Sequence, residues 1–231
     1  MDNLIGERIR MVRDSIREAA VNCGRDPATV TLMAVTKFHP MEAVRDAIDA
    51  GITCFGENRV QEARDKFEGR SDRIELHLIG HLQRNKAKIA ASIFDWVQSI
   101  DRAETARALD TSLEQNGRDM DILIEVNTSG EESKSGLRSD DELFKVVDDI
   151  GVLKRLRVRG LMTIAPFTKE EKPIRTSFSR LRLLFEQLRR RYPELPLDTL
   201  SMGMSNDFRI AIEEGSNLVR IGTAIFGERS V

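Results

Sequence analysis

The sequence predicts an α/β fold, a single closed (β/α)8 barrel of the TIM type that spans residues 1–231. Three observations support this fold class. Short β-branched apolar runs alternate with segments of helical periodicity, which is typical of parallel strands joined by helices. Eight such runs occur within 231 residues, as a closed barrel requires. No linker rich in Gly, Ser or Pro divides the chain. An open, doubly wound sheet is the alternative.

The predicted strands are short and rich in branched or sulfur-containing apolar residues. They are residues 31–37, 53–57, 74–80, 96–100, 121–127, 158–164, 199–205 and 218–222. The run TLSMGMS at 199–205 departs from this composition, because methionines, Gly203 and serines replace branched residues near its end. We interpret this segment as a strand end at which the backbone approaches a ligand closely.

The predicted helices have recognisable starts and apolar faces. The N-terminal segment places apolar residues at helical spacing, at Ile5, Ile9, Val12, Ile16 and Ala19. Pro40 stands at a first helical position. Two capping boxes are predicted, one from Asp101 with Glu104 and one from Ser139 with Glu142. A later, long helix has an apolar face formed by Phe178, Leu181, Leu184, Phe185 and Leu188.

The composition narrows the class of function. Lys and Arg total 36 against 38 Asp and Glu, a net charge of −2, so no basic field attracts nucleic acid or an anionic membrane. No apolar run reaches the roughly 20 residues of a membrane span, and the N-terminus does not read as a signal peptide. Cys23 and Cys54 are isolated, so the sequence predicts no disulfide and no zinc site. His77 and His81 lie in a strand and in the loop after it, so they are not expected to bind a metal together. We expect a cytoplasmic monomer.

Polar and small residues follow the predicted strands at the edge where a barrel carries its active site. They are Lys37, Glu57, Asn58, Gly80, His81, Asn127, Ser205, Asn206, Arg220, Gly222 and Thr223. Lys37 follows an apolar strand into the mouth of the barrel, where partial desolvation favours the neutral amine that attacks an aldehyde. The sequence therefore predicts a lysine suited to a Schiff base. A lysine that only extends to solvent is the alternative.

The ends of the last two strands predict a phosphate site. Ser205, Gly222 and Thr223 stand where such barrels bind a phosphate group with backbone N–H donors and small side chains. Met204 lies in the same loop, and ordinary turn chemistry is the alternative explanation for these residues. Arg220 alternates with apolar neighbours, so it points to the face opposite theirs. A strand-end salt bridge is its alternative role.

Six motifs occur in order along essentially the whole chain: AVTKFHP, FGENRVQEA, LHLIGHLQRNKAK, SKSG, RGLMTIAP and LSMGMSNDFRIAIEEGSNLVRIGTAIFG. They resemble the successive motifs of the pyridoxal phosphate homeostasis proteins, which have the barrel of alanine racemase without its second domain. The resemblance implies an aldimine between Lys37 and pyridoxal 5′-phosphate (PLP). It also implies a phosphate held near the loop of Ser205 and an arginine, Arg220, that faces the pyridine nitrogen. Asn58 falls on a family motif, and His81 is expected to reach the same pocket.

The activity assigned to that family is binding and supply of PLP, so the resemblance implies a carrier or buffer that serves apo-enzymes, not an enzyme. An arginine beside the pyridine nitrogen disfavours its protonation, which weakens the ring as an electron sink. The single tyrosine, Tyr192, stands far along the chain from the strand ends, which disfavours a two-base racemase. A weak racemase or lyase that uses Lys37 as its single base is the alternative. An aldolase acting on sugar phosphates is a third hypothesis.

The connection 128–138 exceeds the usual 2 to 6 residues of such loops, and long loops on this face are usually functional. It is rich in Gly and Ser, which predicts mobility, and it carries Lys134. We interpret Lys134 as a second amine that takes the aldehyde transiently as the cofactor enters or leaves. A solvated loop whose lysine pairs with Glu131 or Glu132 is the alternative.

Overall fold

Eight parallel strands form a closed barrel in the computed structural model, which describes residues 4–71 and 73–227. The strands are β1 Thr31–Val35, β2 Cys54–Glu57, β3 Glu75–Leu78, β4 Trp96–Ile100, β5 Met120–Glu125, β6 Leu156–Met162, β7 Thr199–Ser201 and β8 Leu218–Ile221. Each strand pairs with the next one along the chain, and β8 closes the ring on β1. The predicted barrel is therefore confirmed, and the open sheet is excluded. We call the carboxyl ends of the strands the mouth and their amino ends the floor.

Helices connect the strands around the barrel. They are α1 Leu4–Asn22, α2 Met41–Asp49, α3 Val60–Phe67, α4 Ala87–Ile93, α5 Ala103–Asn116, α6 Asp140–Ile150, α7 Glu171–Arg191, α8 Phe208–Glu213 and α9 Thr223–Phe226. The apolar faces predicted for α1 and α7 are buried, apart from the partly exposed Ile5. Among the described residues, no helix combines the length and the apolar character needed to cross a bilayer.

The two predicted capping boxes have different outcomes. The Ser139 box is confirmed, because Ser139 Oγ accepts from the Glu142 backbone N at 3.2 Å and the Glu142 carboxylate accepts from the Ser139 N. The Asp101 box is wrong, because α5 begins one residue later than predicted, with Arg102 as its N-cap. Asp101 lies between the end of β4 and this N-cap. Pro40 directly precedes α2.

Alternation along the strands separates an outer core from the barrel interior. Ala34, Val219 and Ile221 belong to the large hydrophobic cluster between sheet and helices. Met33, Cys54 and Leu218 form a small separate cluster within the ring. Since Arg220 lies between Val219 and Ile221, and opposite Met33 in the β1–β8 pairing, its side chain faces the interior, as the sequence predicts.

Candidate functional site

Lys37 lies at the mouth, half-buried in the turn that follows β1. The chain before it is fixed, because Thr36 Oγ1 donates to the buried Glu57 Oε1 at 2.7 Å. The chain after it is also fixed, because the His39 ring stacks on Phe226 of α9 with 4.7 Å between centroids. The turn therefore holds its lysine between the end of β2 and the segment after β8.

The end of β2 sends two polar residues in different directions. Glu57 accepts from Thr36 and from Lys66 Nζ of α3 at 2.7 Å, so it supports the lysine turn from outside the barrel. Burial raises the pKa of Glu57. Asn58 Oδ1 is buried without a hydrogen-bond partner in the described part of the chain. The backbone of Asn58 passes close to Gly80. A Cβ on Gly80 would lie 2.2 Å from the carbonyl oxygen of Asn58.

Arg220 is buried in the barrel interior below the mouth. Its Nη1 donates to Ser201 Oγ at 2.6 Å, and its Nη2 donates to the Thr163 carbonyl at 2.7 Å. No carboxylate among the described residues lies within ion-pair distance, so the alternative of a strand-end salt bridge is not found. Burial lowers the pKa of Arg220 to about 10, against the opposing charges of Asp207 and Glu125. The guanidinium thus stays charged at neutral pH while bonded only to neutral groups.

The structure brings the three predicted phosphate-site residues together. Ser205 Oγ accepts from the backbone N of Ala224 at 3.3 Å, which joins the loop after β7 to α9. Gly222 is the N-cap of α9, and Thr223 is its first residue. A Cβ on Gly222 would lie 3.4 Å from the Val35 carbonyl at the end of β1. This loop therefore adjoins the strand that leads into the lysine turn.

The methionine–glycine segment before Ser205 packs closely against α8. Gly203 has φ of 97°, and a Cβ there would lie 2.6 Å from Ala211 Cβ and 2.9 Å from Phe208 Cα. The packing of α8 therefore requires a glycine at this position, a cause that the sequence does not indicate. Met204 is exposed beside it, and its backbone N donates to Asp207 Oδ1 at 2.5 Å.

Two predicted residues lie at the margin of this cluster. His81 is exposed in the loop after β3. Lys134 Nζ donates to Glu131 Oε1 at 2.9 Å and to the Ala165 carbonyl at 2.7 Å. The hydrogen bond from Lys134 lowers the pKa of Glu131. The ion pair that the alternative interpretation required is therefore present within the 128–138 loop, and the hydrogen bond to Ala165 ties this loop to the segment after β6.

Sequence reasoning missed polar side chains deeper in the barrel. Gln98 and Ser201 are fully buried, and Glu125 is nearly so. Burial, with the nearby charge of Asp101, raises the pKa of Glu125 to about 7. The signal that would have found them is alternation. Each of the three follows a residue of the outer core, namely Ile124, Val97 and Leu200, so its side chain points into the barrel.

A second cluster of polar side chains lies at the floor of the barrel. Donor atoms of Cys54, Glu75 and His77 come within 4.8 Å of one another, an arrangement of ligand types that suits a metal ion. In the structure His77 is thus grouped with Cys54 and Glu75, whereas the sequence suggested His81 as the histidine to consider with it. Both His77 ring nitrogens are already hydrogen-bonded, to Glu75 Oε1 at 2.7 Å and to Gln98 Nε2 at 2.8 Å.

Comparison with known proteins places the whole chain among related sequences. The family model for the N-terminal domain of alanine racemase matches residues 13–230. A pyridoxal phosphate homeostasis protein from Vibrio alginolyticus is 43% identical over 230 residues, which cover 97% of each chain. That of Escherichia coli (strain K12) is 43% identical over 232 residues, covering 98% of this chain and 97% of the relative.

Solved structures share the barrel. PipY of Synechococcus elongatus, in a structure described as having PLP bound, superposes with a TM-score of 0.84 at 34% identity, covering 96% of this chain and 100% of PipY. PipY without PLP gives 0.87 at 35% identity, with the same coverage. An alanine racemase from Clostridium difficile superposes with a TM-score of 0.75 at 12% identity, covering 100% of this chain and 58% of the racemase, which is a likeness of fold alone.

Proposed function

We propose, from the premise that the chain belongs to the pyridoxal phosphate homeostasis proteins within the alanine racemase N-terminal domain family, that it binds PLP at the mouth of its barrel. One observation carries the proposal. Three groups lie at one end of the barrel. They are an amine after β1, a buried guanidinium in β8, and the loop after β7 together with the start of α9. These are the groups that an aldehyde, a pyridine nitrogen and a phosphate ester require.

The residues fit the cofactor in their chemistry. The Ser205 hydroxyl and the backbone N–H groups at Gly222 and Thr223 would hold the phosphate. Arg220 would donate to the pyridine nitrogen. The unpartnered Asn58 Oδ1 is buried, and such an atom costs stability unless a ligand or a water molecule donates to it. PLP supplies an aldehyde that condenses with amines.

We propose Lys37 as the amine that holds the cofactor. The cofactor would supply the aldehyde, and Lys37 would supply a neutral Nζ to condense with it, with loss of one water molecule. The fixed chain on both sides of Lys37 supports this role, because a positioned amine loses little freedom on binding.

The largest expected effect on cofactor chemistry comes from Lys37→Ala, because this change removes the amine that forms the covalent bond. Wild-type protein mixed with PLP should absorb visible light, and borohydride reduction should place the pyridoxyl group on the peptide that contains Lys37. The variant should lose both signals. The matched control is Lys134→Ala, which removes a second lysine near the mouth and should keep both signals. A label found mainly on another lysine would contradict the assignment.

We propose that the protein holds and supplies PLP rather than turning over a substrate. A guanidinium only donates, so Arg220 would keep the pyridine nitrogen unprotonated and the ring a weak electron sink. The Tyr192 hydroxyl donates to Asp148 Oδ1 at 2.7 Å, on the outer side of α6 and α7, and burial raises its pKa to about 12. Racemisation or cleavage of amino acids by the loaded protein would favour the single-base alternative, and absence of a chromophore would favour the aldolase.

The remaining expectations belong to the same proposal. His81, Met204 and Lys134 are further residues of the mouth that would contact PLP on its way in or out. The whole of residues 1–231 would act as one domain, in the cytoplasm and as a monomer, with apo-enzymes as the acceptors of the cofactor. Transfer of PLP from the loaded protein to an apo-enzyme, followed by recovered enzyme activity, tests the supply role directly.

A further inference from the structure

A continuous chain of hydrogen bonds runs from Arg220 through the barrel interior to the floor. Arg220 Nη1 donates to Ser201 Oγ at 2.6 Å, and Ser201 Oγ donates to Gln98 Oε1 at 2.6 Å. Gln98 Nε2 contacts His77 Nδ1 at 2.8 Å, and His77 Nε2 contacts Glu75 Oε1 at 2.7 Å. Four links therefore connect a cation at the mouth to a carboxylate at the floor.

The two ends of this chain fix its direction. A guanidinium can only donate and a carboxylate can only accept, so the hydroxyl proton of Ser201 points to Gln98 Oε1. The amide of Gln98 must then donate to His77 Nδ1, and the ring proton of His77 must be on Nε2, facing Glu75. Every link has one donor and one acceptor in this arrangement, so neighbouring bonds polarise one another in the same direction.

The chain crosses the barrel as well as descending it. Ser201 and Arg220 belong to β7 and β8, whereas His77 and Gln98 belong to β3 and β4 on the opposite wall. All four side chains are buried, but half of the Glu75 side chain is exposed at the floor. The hydrogen bond from His77 lowers the pKa of Glu75, so its carboxylate is ionised at neutral pH.

We propose that four residues outside the cofactor pocket position Arg220: Ser201, Gln98, His77 and Glu75. Through Arg220 they tune the electric field at the cofactor atom that it contacts. This inference rests on the proposed binding of PLP beside Arg220. The alternative role of these floor residues is a metal site with Cys54. In such a site His77 Nε2 would bind the metal and would lose its hydrogen bond to Glu75. The hydrogen bonds on both ring nitrogens favour the chain instead.

Substitution in the middle of the chain tests the proposal without touching Arg220. Gln98→Leu keeps volume but removes two links, so PLP should bind about three- to tenfold more weakly and its visible absorption band should shift. Glu75→Ala should give a smaller shift, and Glu75→Gln, which keeps an acceptor for Nε2–H, should recover part of it. The matched control is Glu68→Gln, an exposed carboxylate that lines one surface cavity together with Glu75 and should leave the band in place.

A folded Gln98→Leu protein whose band and affinity equal those of wild type would overturn the proposal. A purely structural role would lower the melting temperature without moving the band. Nitrogen-15 NMR of His77 in the cofactor-free wild type gives a second test, which needs neither PLP nor a variant. The Nε2–H tautomer is expected, and the Nδ1–H tautomer would refute the direction of the chain. Failure of wild type to bind PLP would instead refute the proposed function.

Discussion

The two ends of the barrel both hold buried charged groups, but these groups are neutralised differently. At the floor, Asp121 accepts from Arg157 Nε at 2.6 Å and from Arg159 Nη1 at 2.9 Å, and Arg159 also pairs with Asp198. At the mouth, the buried Arg220 bonds to a hydroxyl and a carbonyl. The floor satisfies its charges internally, whereas the mouth leaves a cation bonded only to neutral groups.

This difference separates structural charge from functional charge. Opposite charges in contact offset the cost of their own desolvation, so a paired group contributes to folding without need of a ligand. A buried polar atom without a partner, such as Asn58 Oδ1, costs stability in the ligand-free protein. A ligand with complementary groups would therefore stabilise the mouth more than the floor.

The comparison is tested most strongly at Glu125, a carboxyl of the mouth. Its pKa is raised to about 7 in the folded protein, so stability present below the unfolded pKa is lost as the pH rises from about 4.5 to 7. Glu125→Gln cannot ionise, so at pH 8 it should be more stable than wild type by on the order of 3 kcal/mol. The difference should vanish near pH 4.5. Urea unfolding of the cofactor-free proteins measures it.

The control for this prediction is Glu114→Gln, which changes an exposed glutamate of α5 and should leave the pH dependence of stability as it is. If Glu125→Gln and wild type showed the same pH dependence of stability, the ionised Glu125 carboxylate would be stabilised by its surroundings as fully as the paired carboxylates of the floor. The proposed difference between the two ends would then be wrong.

The second test breaks the floor. Asp121→Ala leaves two guanidinium groups without their shared carboxylate, so we expect a loss of about 2 kcal/mol in the free energy of unfolding. PLP affinity should change little, because the charge cluster is structural. Asp119→Ala, which removes a more exposed partner of Arg157, should cost less than about 1 kcal/mol. A large loss of PLP affinity with little loss of stability would reverse the roles that we assign to the two ends.

The third test addresses the mouth by its ligand. Ser205→Ala removes a hydroxyl from the proposed phosphate site and should weaken PLP binding about tenfold. Pyridoxal, which lacks the phosphate, should bind poorly to wild type and equally to the variant. Ser92→Ala, a serine of α4 bonded only to its own helix, is the control. Equal affinity of wild type for pyridoxal and PLP would remove the phosphate site.

The smallest effect is expected at Lys134, whose ion pair with Glu131 is partly exposed. Such a pair is worth about 0.2 to 1 kcal/mol, so Lys134→Ala should change the rate of PLP transfer to an apo-enzyme only about twofold. One PLP should still bind at Lys37. Lys145→Ala, an exposed lysine of α6, should transfer at the wild-type rate. Identical rates for all three proteins would leave the loop without a role in release.

The sequence was most informative where structure depends on local pattern. The eight strands and the inward direction of Arg220 follow from periodicity, and the Ser139 cap follows from a four-residue motif. The meeting of Ser205 with Gly222 follows from topology, because the ends of β7 and β8 are neighbours in any closed barrel of this kind.

Features that depend on contacts between distant segments could not be predicted from the sequence. The partner of Glu57 is Lys66 of α3, and nothing in the β2 segment indicates which helix residue will reach it. Gly203 is needed by α8, and nothing in its own segment indicates which neighbour comes close. The bond between Ser201 and Gln98 joins opposite walls of the barrel, so it becomes visible only once the ring is closed.

The pairing of β1 with β8 has a consequence for how the protein is made. Lys37 stands near the beginning of the chain, and Gly222 is almost at its end, yet they adjoin through this one seam. Contacts between such remote segments form late, because the intervening chain must first be synthesised and ordered. A nascent chain on the ribosome contains the lysine proposed to hold PLP long before the proposed phosphate loop is synthesised. The proposed pocket would thus be completed only when β8 docks against β1, so PLP capture would require a closed barrel.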